Sequence, residues 1–455
     1  MGKQMITLEQ AAAWCGGRVS EEYKNIAFFG ANFDTRLLRE GELFVALKGQ
    51  RDGHDFAQRA IELGAAAVLA SEPLPETIPA IYTDDTLRAL QTIAAAWREH
   101  LNCKVIGITG SVGKTTTKEM VAAVLGKRFC TLKTALNYNN DIGVPIMLLR
   151  ITPEHEAAVL EMGMNHFGEL SVLTRLARPN MALITNVGTM HIENLGSREG
   201  ILRAKLEILE GLQTGGHVLF CGDNDLLSRE AEKYGALTFG LSEGCTVRGG
   251  NLSVCDGQTT FTVTAGTTEF DVTLPLLGEH NVLDALAAAA VGLELGVTPT
   301  EIAEALREFR NTGHRQRRLT VGGVRIIDDC YNAGPESMRA ALNVLAQEKG
   351  RRIAVLGGML ELGAYAPQAH YEVGAYAVGR TELLYAYGDN SEQYVRGAKE
   401  NGLTRAEKFD THEALYAALR RELHPEDTVL LKGSRGMHME RVLDLFTEES
   451  KNGGM

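Results

Sequence analysis

The sequence predicts an α/β protein built from three α/β domains, and three observations support this prediction. Its 455 residues exceed what one hydrophobic core usually supports, so roughly two to four domains are expected. Short β-type runs alternate with helical patterns along the chain, which is typical of mostly parallel sheets. A polar, basic stretch at residues 310–318 separates two such series and is interpreted as a hinge. The expected domain limits are residues 1–100, 101–314 and 315–455.

The order of the strand and helix patterns predicts the architecture of the first two domains. The N-terminal domain is expected to be small, and the central domain is expected to hold a doubly wound, mostly parallel sheet. Residues 246–275 are rich in Thr and Val and predict a local antiparallel patch. The predicted N-terminal strands are 43–47, 67–70 and 78–82, with helices at 54–63 and 86–100. The predicted central strands are 104–108, 157–161, 181–185 and 217–220, with helical segments at 198–210 and within 280–309.

The third domain is expected to be Rossmann-like, because strands and helices alternate again after the hinge. The residues from Glu448 to Met455 predict a frayed tail. The predicted strands are 324–328, 352–356, 382–387 and 427–431.

Composition narrows the class of protein. A net charge of −12 argues against a nucleic-acid binder, whose footprint is usually basic. Seven scattered cysteines, with no Cys-x-x-Cys pair, indicate reduced thiols and not a disulfide scaffold or a zinc site. The first six residues lack an apolar signal core, and no apolar run approaches the length of a membrane span. We therefore expect a cytoplasmic monomer that neither inserts into a membrane nor binds nucleic acid.

The most specific motif is the run from Val105 to Thr117, V-I-G-I-T-G-S-V-G-K-T-T-T, which predicts a strand, a phosphate-binding loop and a helix. Gly110 and Gly113 let the backbone turn its N–H groups around an anion, and the helix adds the positive end of its dipole. Lys114 can reach the outer phosphates of a nucleoside triphosphate, and the Thr115 hydroxyl can hold Mg²⁺. The alternative is a Gly-rich turn that closes a strand–helix corner.

Three further residues follow strands or helices near this loop. Glu161 ends a predicted strand, where it either completes an Mg²⁺ shell or caps the next turn. His191 follows the next strand, and a single histidine is more often structural. Lys205 lies on a predicted helix, and its cation would repel Mg²⁺. A functional role for Lys205 therefore requires chemistry on its amine.

Other polar clusters are less specific. The asparagines in Thr134–Pro145 either form turns or offer amide donors to a phosphoryl group. Asn281 either contacts a base edge or caps a helix. The segments 327–337 and 431–436 are strand-to-helix turns that suit carboxylate binding. The cluster of Lys48, Arg51 and His54 either holds a diphosphate or is a solvated surface loop.

Taken together, these segments resemble the Mur ligases of bacterial wall synthesis over essentially the whole chain. The shared signature is the loop Thr109–Thr116 with Glu161, His191 and His280–Asn281. The resemblance implies an ATP-dependent ligase that joins D-alanyl-D-alanine to UDP-N-acetylmuramoyl-tripeptide through an acyl phosphate. Segments specific to that activity are Asp34–Arg36, Gly41–Gly49 and Asp329–Pro335. The alternatives are another Mur-type or folylpolyglutamate-type ligase and, in a different class, a P-loop switch module.

The resemblance also implies roles by position. Lys114, Asn140, His191 and Lys205 would be catalytic. Thr115 and Glu161 would hold one Mg²⁺, and His191 would hold a second with Lys205 carbamylated by CO₂. The ATP-binding residues would be Gly110, Ser111, Val112, Gly113, Lys114, Thr115, Thr116, Asn281, Arg315 and Asp329. The UDP-sugar would meet Thr35, Arg36, Lys48, Arg51 and His54, and the dipeptide would meet Asn332, Lys432 and Ser434.

Two positions depart from the usual family pattern. The family usually has asparagine at two positions where this chain has Gly334 and Asp284. Neither residue is expected to touch the phosphate-binding machinery, so the expected effect is confined to fine contacts near the nucleotide and the hinge.

Overall fold

The computed structural model describes residues 5–311 and 313–451, and it confirms the predicted fold class, with three mostly parallel sheets flanked by helices. The first sheet has five strands in the order β2-β7-β6-β5-β4, and β2 is the antiparallel one. A separate two-stranded pair joins β1 to β3. The N-terminal elements are β1 Ile6–Thr7, α1 Leu8–Cys15, β2 Arg18–Val19, β3 Ala27–Phe28, β4 Ala31–Asn32, β5 Leu43–Val45, α2 Ala57–Glu62, β6 Ala67–Ala70, β7 Ala80–Tyr82 and α3 Thr86–Glu99.

The second sheet has nine strands, in the order β16-β15-β14-β13-β12-β11-β8-β10-β9. Seven of them, from β14 to β9 in this order, pair in parallel. Its strands are β8 Lys104–Thr109, β9 Thr131–Lys133, β10 Ala157–Glu161, β11 Met181–Ile184, β12 His217–Cys221, β13 Leu237–Gly240, β14 Val247–Cys255, β15 Gln258–Ala265 and β16 Thr268–Leu274. Its helices are α4 Lys114–Leu125, α5 Gly143–Leu149, α6 Glu169–Ala177, α7 Ile192–Leu195, α8 Arg198–Leu206, α9 Leu227–Glu230, α10 Glu279–Glu294 and α11 Pro299–Glu308.

The third sheet has six strands in the order β17-β18-β22-β19-β20-β21, and only β17 is antiparallel to its neighbour. Its strands are β17 Arg317–Val321, β18 Val324–Asp329, β19 Arg352–Gly357, β20 Leu383–Tyr387, β21 Ala406–Phe409 and β22 Thr428–Lys432. Its helices are α12 Pro335–Ala346, α13 Ala366–Tyr376, α14 Ser391–Glu400, α15 His412–Glu422 and α16 Glu440–Lys451.

Local sequence explains where several helices begin. Thr298 and Glu301 form a capping box at the start of α11, and Pro299 occupies the first helical turn, where its missing N–H costs nothing. Pro335 opens α12 in the same way. The Asp85 side chain accepts from the backbone N–H of Arg88 and caps α3.

Helix α3 ties the first sheet to the second. The indole N–H of Trp97 donates to the Ile151 carbonyl at 2.9 Å. The buried Arg98 guanidinium donates to the carbonyls of Ala177 and Cys103 at 2.8 and 3.2 Å. The buried apolar residues of α3 belong to the same hydrophobic cluster as those of β8, β10 and β11. The N-terminal sheet is therefore held rigidly against the central one.

Two sequence expectations need correction, and a third is confirmed. The Thr/Val-rich strands of 246–275 form the predicted antiparallel patch, because β15 pairs antiparallel with both β14 and β16. Since β14 pairs in parallel with β13, this patch extends the central sheet. The predicted hinge, 310–318, is shorter, since Arg317 and Arg318 already belong to β17; one of its residues, 312, lies outside the described residues. Of the predicted tail, residues 448–451 continue α16, and 452–455 lie outside the described residues. Among the described residues, no helix is long and apolar enough to cross a membrane.

Candidate active site

A cavity of about 490 Å³ lies at the carboxyl ends of β8, β10 and β11, where α/β sheets bind ligands. Its wall is completed by residues of the third sheet's domain. Helix α12 and the ends of β18 and β22 contribute Glu336, Asp329 and Lys432. The cavity is therefore shared between two domains, and both must be present to close it.

The phosphate-binding loop at the end of β8 is braced from β11. Gly110 and Gly113 have φ angles of +155° and +83°, which favour glycine. The N–H groups of Ser111 and Val112 donate to Asn186, at 3.1 and 3.0 Å. These two amides are occupied, so the N–H groups left for an anion are those of the first turn of α4, Lys114 to Thr116, which have no carbonyl partner within the helix.

Lys114 is folded over this loop. Its Nζ donates to the Gly110 carbonyl at 2.8 Å. Burial lowers the pKa of Lys114, and the carboxylates Glu161 and Glu361 oppose this shift. The amine points into the same space as the free amides of α4.

A hydroxyl and a carboxylate form the second part of the site. Thr115 Oγ1 donates to Glu161 Oε2 at 2.8 Å. Asn139 Nδ2 donates to the other carboxylate oxygen at 2.9 Å, so both oxygens of Glu161 are held in place. Arg315, from the far side of the cavity, donates to Thr115 Oγ1 at 2.9 Å. Hydroxyl and carboxylate oxygens are the ligands that Mg²⁺ prefers, so this pair fits a magnesium ion.

His191 and Lys205 form the third part. His191 has a φ of +64°, and its Nδ1 lies 2.7 Å from Glu361 Oε2, at an angle outside hydrogen-bond geometry. Lys205 is 1% exposed and makes no hydrogen bond or ion pair with any residue of 5–311 or 313–451. Burial and the nearby Lys114 lower its pKa well below the usual value. Burial therefore favours the neutral form of this amine, which is the form that can act as a nucleophile.

Asp284 lies directly beneath the loop, so the expectation that it does not touch the phosphate-binding machinery is wrong. Thr117 Oγ1 donates to its Oδ1 at 2.6 Å, and a Cβ at Gly113 would come within 2.7 Å of the same oxygen. Burial raises the pKa of Asp284 to about 7, although Thr117 and Arg315 oppose the shift. One helical turn earlier, burial lowers the pKa of His280 to about 4. This end of α10 therefore carries an acid and a base that are both driven toward neutrality.

Comparison with known proteins agrees with this geometry. Models of the Mur ligase middle domain and of the Mur ligase glutamate ligase domain match residues 108–292 and 314–435. The UDP-N-acetylmuramoyl-tripeptide–D-alanyl-D-alanine ligase of Bacillus subtilis (strain 168) is 39% identical over 437 residues, which cover 94% of this chain and 95% of that protein. The chain belongs to the Mur ligase family.

Two solved structures resemble this Mur ligase along its length. The crystal structure of MurF from Acinetobacter baumannii has a TM-score of 0.89 and 32% identity, and it covers 98% of this chain and 100% of that one. MurF ligase from Thermotoga maritima, solved in complex with ADP, has a TM-score of 0.82 and 29% identity. That match covers 93% of this chain and 98% of that one.

The remaining residues of this Mur ligase that are predicted to contact ATP are held by hydrogen bonds and ring stacking. Asn281 is buried, and its Nδ2 donates to Leu277 O and Gln316 Oε1 at 2.7 and 3.1 Å, which leaves only its oxygen for a ligand. The Arg315 guanidinium stacks on the Tyr331 ring at 4.0 Å. Asn140 is exposed in the cavity wall, and its Oδ1 accepts from the Gly143 N–H at 2.8 Å, so its amide hydrogens face outward from the turn.

The residues predicted for the dipeptide lie at the ends of β18 and β22, but two of them are already engaged. Lys432 Nζ donates to Asp329 Oδ2 at 2.6 Å and to the Asn332 carbonyl at 3.0 Å. The buried Ser434 hydroxyl donates to the Ala333 carbonyl and accepts from a backbone N–H. The Lys432 charge is therefore neutralised by Asp329, a residue predicted to contact the nucleotide.

The N-terminal cations gather at one edge of the first sheet. Thr35 and Arg36, which are predicted to meet the UDP-sugar, follow β4. The other residues of that predicted site, Lys48, Arg51 and His54, follow its parallel neighbour β5. Asp34 pairs with Arg36 at 2.6 Å, and Lys48 pairs with Glu72 at 2.5 Å. His54 is structural in this loop, because its Nε2 accepts from the Ser71 N–H and its Nδ1 lies 2.5 Å from Asp52. Arg51 is exposed.

Sequence reasoning missed four residues that shape the site. Asn139 lies within the run Thr134–Pro145 and Glu336 within the segment 327–337, both of which the sequence analysis singled out. Asn186 follows the predicted strand 181–185, and its amide near Gly188 was the available signal. Glu361 comes from the third sheet's domain, and no local pattern marks it. Glu336 Oε1 accepts from the N–H and the hydroxyl of Thr189, at 2.9 and 3.0 Å, and thereby joins the two domains.

Proposed function

We propose that this Mur ligase joins D-alanyl-D-alanine to UDP-N-acetylmuramoyl-tripeptide at the expense of ATP, in the synthesis of peptidoglycan precursors. The observation that carries the proposal is full-length similarity, at 33–40% identity, to proteins that bear this name. The phosphate-binding loop and the shared cavity support it. A carboxylate does not condense with an amine in water, so the reaction needs an activated acid and a closed site.

Activation proceeds in two chemical steps. A carboxylate oxygen of the tripeptide attacks the γ-phosphorus of ATP, the bond to ADP breaks, and an acyl phosphate forms. The ammonium group of the dipeptide first gives up a proton to solvent. Its neutral amine then attacks the acyl carbon, phosphate leaves with the electron pair of the broken C–O bond, and the new amide nitrogen releases a second proton to solvent. Both nucleophiles belong to the substrates, so the protein aligns them and offsets charge. Lys114 and the free amides of α4 suit the phosphates, and the amide group of Asn140 suits the transferred phosphoryl group.

Magnesium fits the donors that the site offers. Thr115 and Glu161 would hold one ion, and His191 would hold a second with a modified Lys205. Bound Mg²⁺ supplies positive charge that reduces repulsion between the carboxylate and the triphosphate. The modification is a carbamate, formed when the neutral Lys205 amine adds to CO₂ and releases one proton. The burial of Lys205 without a counter-ion supports this, because the carbamate converts an amine that has no partner into an oxygen ligand.

The three predicted domains, 1–100, 101–314 and 315–455, would divide the substrates between them. The cations after β4 and β5 suit the diphosphate of the UDP-sugar. Asn281, Arg315 and Asp329 suit the nucleotide, and the ends of β18 and β22 suit the dipeptide. We further propose that the protein is a cytoplasmic monomer, in keeping with its reduced cysteines and acidic surface.

Acceptor-dependent phosphate release tests the proposal. The purified protein is mixed with ATP and Mg²⁺, and phosphate is measured with each substrate alone and with both. Release is expected only when UDP-N-acetylmuramoyl-tripeptide and D-alanyl-D-alanine are present together. Release with glutamate and a folate would instead indicate a folylpolyglutamate-type ligase. Release without any acceptor would indicate a nucleotide switch.

A further inference from the structure

We propose that Glu361 is the residue that binds the ammonium group of the incoming dipeptide. This inference rests on the proposed function, and it assigns to a residue outside the family signature the recognition of the nucleophile. Glu361 lies in the loop after β19, and β19 is the neighbour of β22, which carries Lys432. Its position is therefore on the side of the cleft that is predicted to hold the dipeptide.

The Glu361 side chain reaches across to the phosphate side. Its Oε2 lies 2.7 Å from His191 Nδ1, and its charge acts on the Lys114 amine. The carboxylate remains 51% exposed. A group at this point can contact a ligand that bridges the dipeptide side and the transferred phosphoryl group, which is where the attacking nitrogen must lie.

The other carboxylates of the cleft are already committed. Each one that lines the cavity accepts at least one hydrogen bond from a described residue; these are Glu161, Glu169, Asp223, Asp284, Asp329 and Glu336. Within 5–311 and 313–451, Glu361 makes only its close contact with His191, which lies outside hydrogen-bond geometry. Its Oε2 is occupied by this contact with His191, a residue of the cavity wall, and its Oε1 has no donor among the described residues and can accept a new one.

Charge explains why such a group is needed. The α-amino group of a peptide has a reference pKa of about 7.7–8.0, so a dipeptide arrives mostly as an ammonium ion. The cleft already presents the cations Lys114, Arg315 and Lys432, and Lys432 alone has a close carboxylate partner. Without a free carboxylate, these charges would repel the dipeptide amine.

The backbone at this residue is also unusual. Glu361 has a φ of +63°, a left-handed conformation that side-chain-bearing residues rarely adopt. Gly363 takes the same conformation two residues later without that penalty. Strained non-glycine residues cluster at ligand sites, where the strain sets the direction of a side chain. Here the Glu361 carboxylate is held 2.7 Å from His191, a residue of the cavity wall.

The variant Glu361→Gln tests the inference in the full-length enzyme. It keeps the shape of the side chain and removes its charge, so we expect the KM for D-alanyl-D-alanine to rise by about 10–100-fold, the range for hydrogen bonds to charged groups. The KM values for ATP and the UDP-tripeptide should change less than about twofold. Glu193→Gln is the matched control, because Glu193 is an exposed carboxylate at the same domain contact, beside Gly363. It should leave all three constants unchanged.

A desamino dipeptide, propionyl-D-alanine, separates ammonium binding from other losses. It should inhibit the wild-type enzyme and Glu361→Gln with the same Ki, since it has no ammonium group for Glu361 to recognise. An unchanged KM for the dipeptide in Glu361→Gln would overturn the inference. A raised requirement for Mg²⁺ with an unchanged dipeptide KM would also overturn it, because Glu361 would then position His191. A parallel rise of all three KM values would overturn it as well, because Glu361 would then only hold the two domains together. If phosphate release by the wild-type enzyme does not depend on the dipeptide, the proposed function is wrong, and the role of Glu361 is not what has failed.

Discussion

Lys205 is the residue whose surroundings are hardest to explain without chemistry on its side chain. Its amine is buried with no hydrogen bond or counter-ion among the described residues. If the amine carries a carbamate, Lys205→Ala removes a metal ligand, and kcat should fall by at least about 100-fold. Acetate or propionate should restore part of the activity, because a small carboxylate can enter the space that the side chain leaves.

Lys118 provides the matched control for that test. It is also buried, but its Nζ donates to the Thr134 carbonyl at 2.9 Å, so its role is structural. Lys118→Ala should lower the melting temperature and should not respond to carboxylic acids. An active Lys205→Ala enzyme, or equal rescue of both variants, would contradict the carbamate.

Asp284 makes the stability of the protein depend on pH in a defined direction. Its pKa is about 7 in the folded protein, against a usual value of 3.8. Between these values the folded chain binds more protons than the unfolded chain, so this contribution to stability is lost as pH rises from about 4 to 7. Asp284→Asn stays neutral and keeps the acceptor for Thr117. It should therefore stabilise the protein increasingly up to pH 7, by on the order of 4 kcal/mol at most.

The measurement for Asp284 compares wild type and variant by urea unfolding at pH 5 and pH 8. His280 changes stability in the opposite sense, since its pKa is lowered to about 4, but it is present in both proteins and cancels in the difference. A gap between the two proteins that is equal at both pH values would show that Asp284 does not titrate as its burial requires.

At the scale of elements, the turn from β8 into α4 depends on the absence of a side chain at Gly110. A Cβ there would lie 1.8 Å from Thr185 Oγ1 on the neighbouring strand segment, and the φ of +155° adds strain. Gly110→Ala should destabilise the protein by about 1–3 kcal/mol and weaken ADP binding. Gly250→Ala in β14 is the control, because a Cβ there meets nothing within 4 Å. Equal melting temperatures for the two variants would contradict this account.

The elements that sequence predicted well are those with strong local signals. The strand 157–161 is recovered with its predicted limits, and the strand at 104–108 gains only Thr109, because continuous apolar runs mark buried parallel strands. The strand β17 was missed, since its Arg317 and Arg318 are exposed at a sheet edge and have no apolar pattern. The site followed the same rule. Glu161 was found at a strand end, whereas Arg315, which donates to the Thr115 hydroxyl, is 200 residues away from Thr115 in sequence, and no local pattern encodes that contact.

At the scale of the whole molecule, the central and C-terminal sheets meet through a few polar contacts that build the cavity wall. Glu336 binds Thr189, Arg315 binds Thr115, and Glu361 approaches His191. Each pair joins residues from different domains, so the described arrangement brings the predicted dipeptide residues to the phosphate-binding loop. Separation of the domains would break all three contacts together, which links closure to catalysis.

Gly334 controls how closely these domains approach, and this leads to a prediction specific to this chain. The residue has an extended backbone that any side chain can adopt, but a Cβ would lie 2.1 Å from the Sδ of Met190 in the central domain. Gly334→Asn, which restores the usual family residue, should therefore disfavour the closed arrangement by about 1–3 kcal/mol, the typical cost of overpacking. The KM values for the dipeptide and the UDP-tripeptide should rise, and small-angle scattering should report a larger radius of gyration. Met190→Ala vacates the crowded space, so Gly334→Asn with Met190→Ala should recover the closed dimensions and most of the activity. If the double variant is as open as Gly334→Asn alone, the contact with Met190 does not set the domain distance.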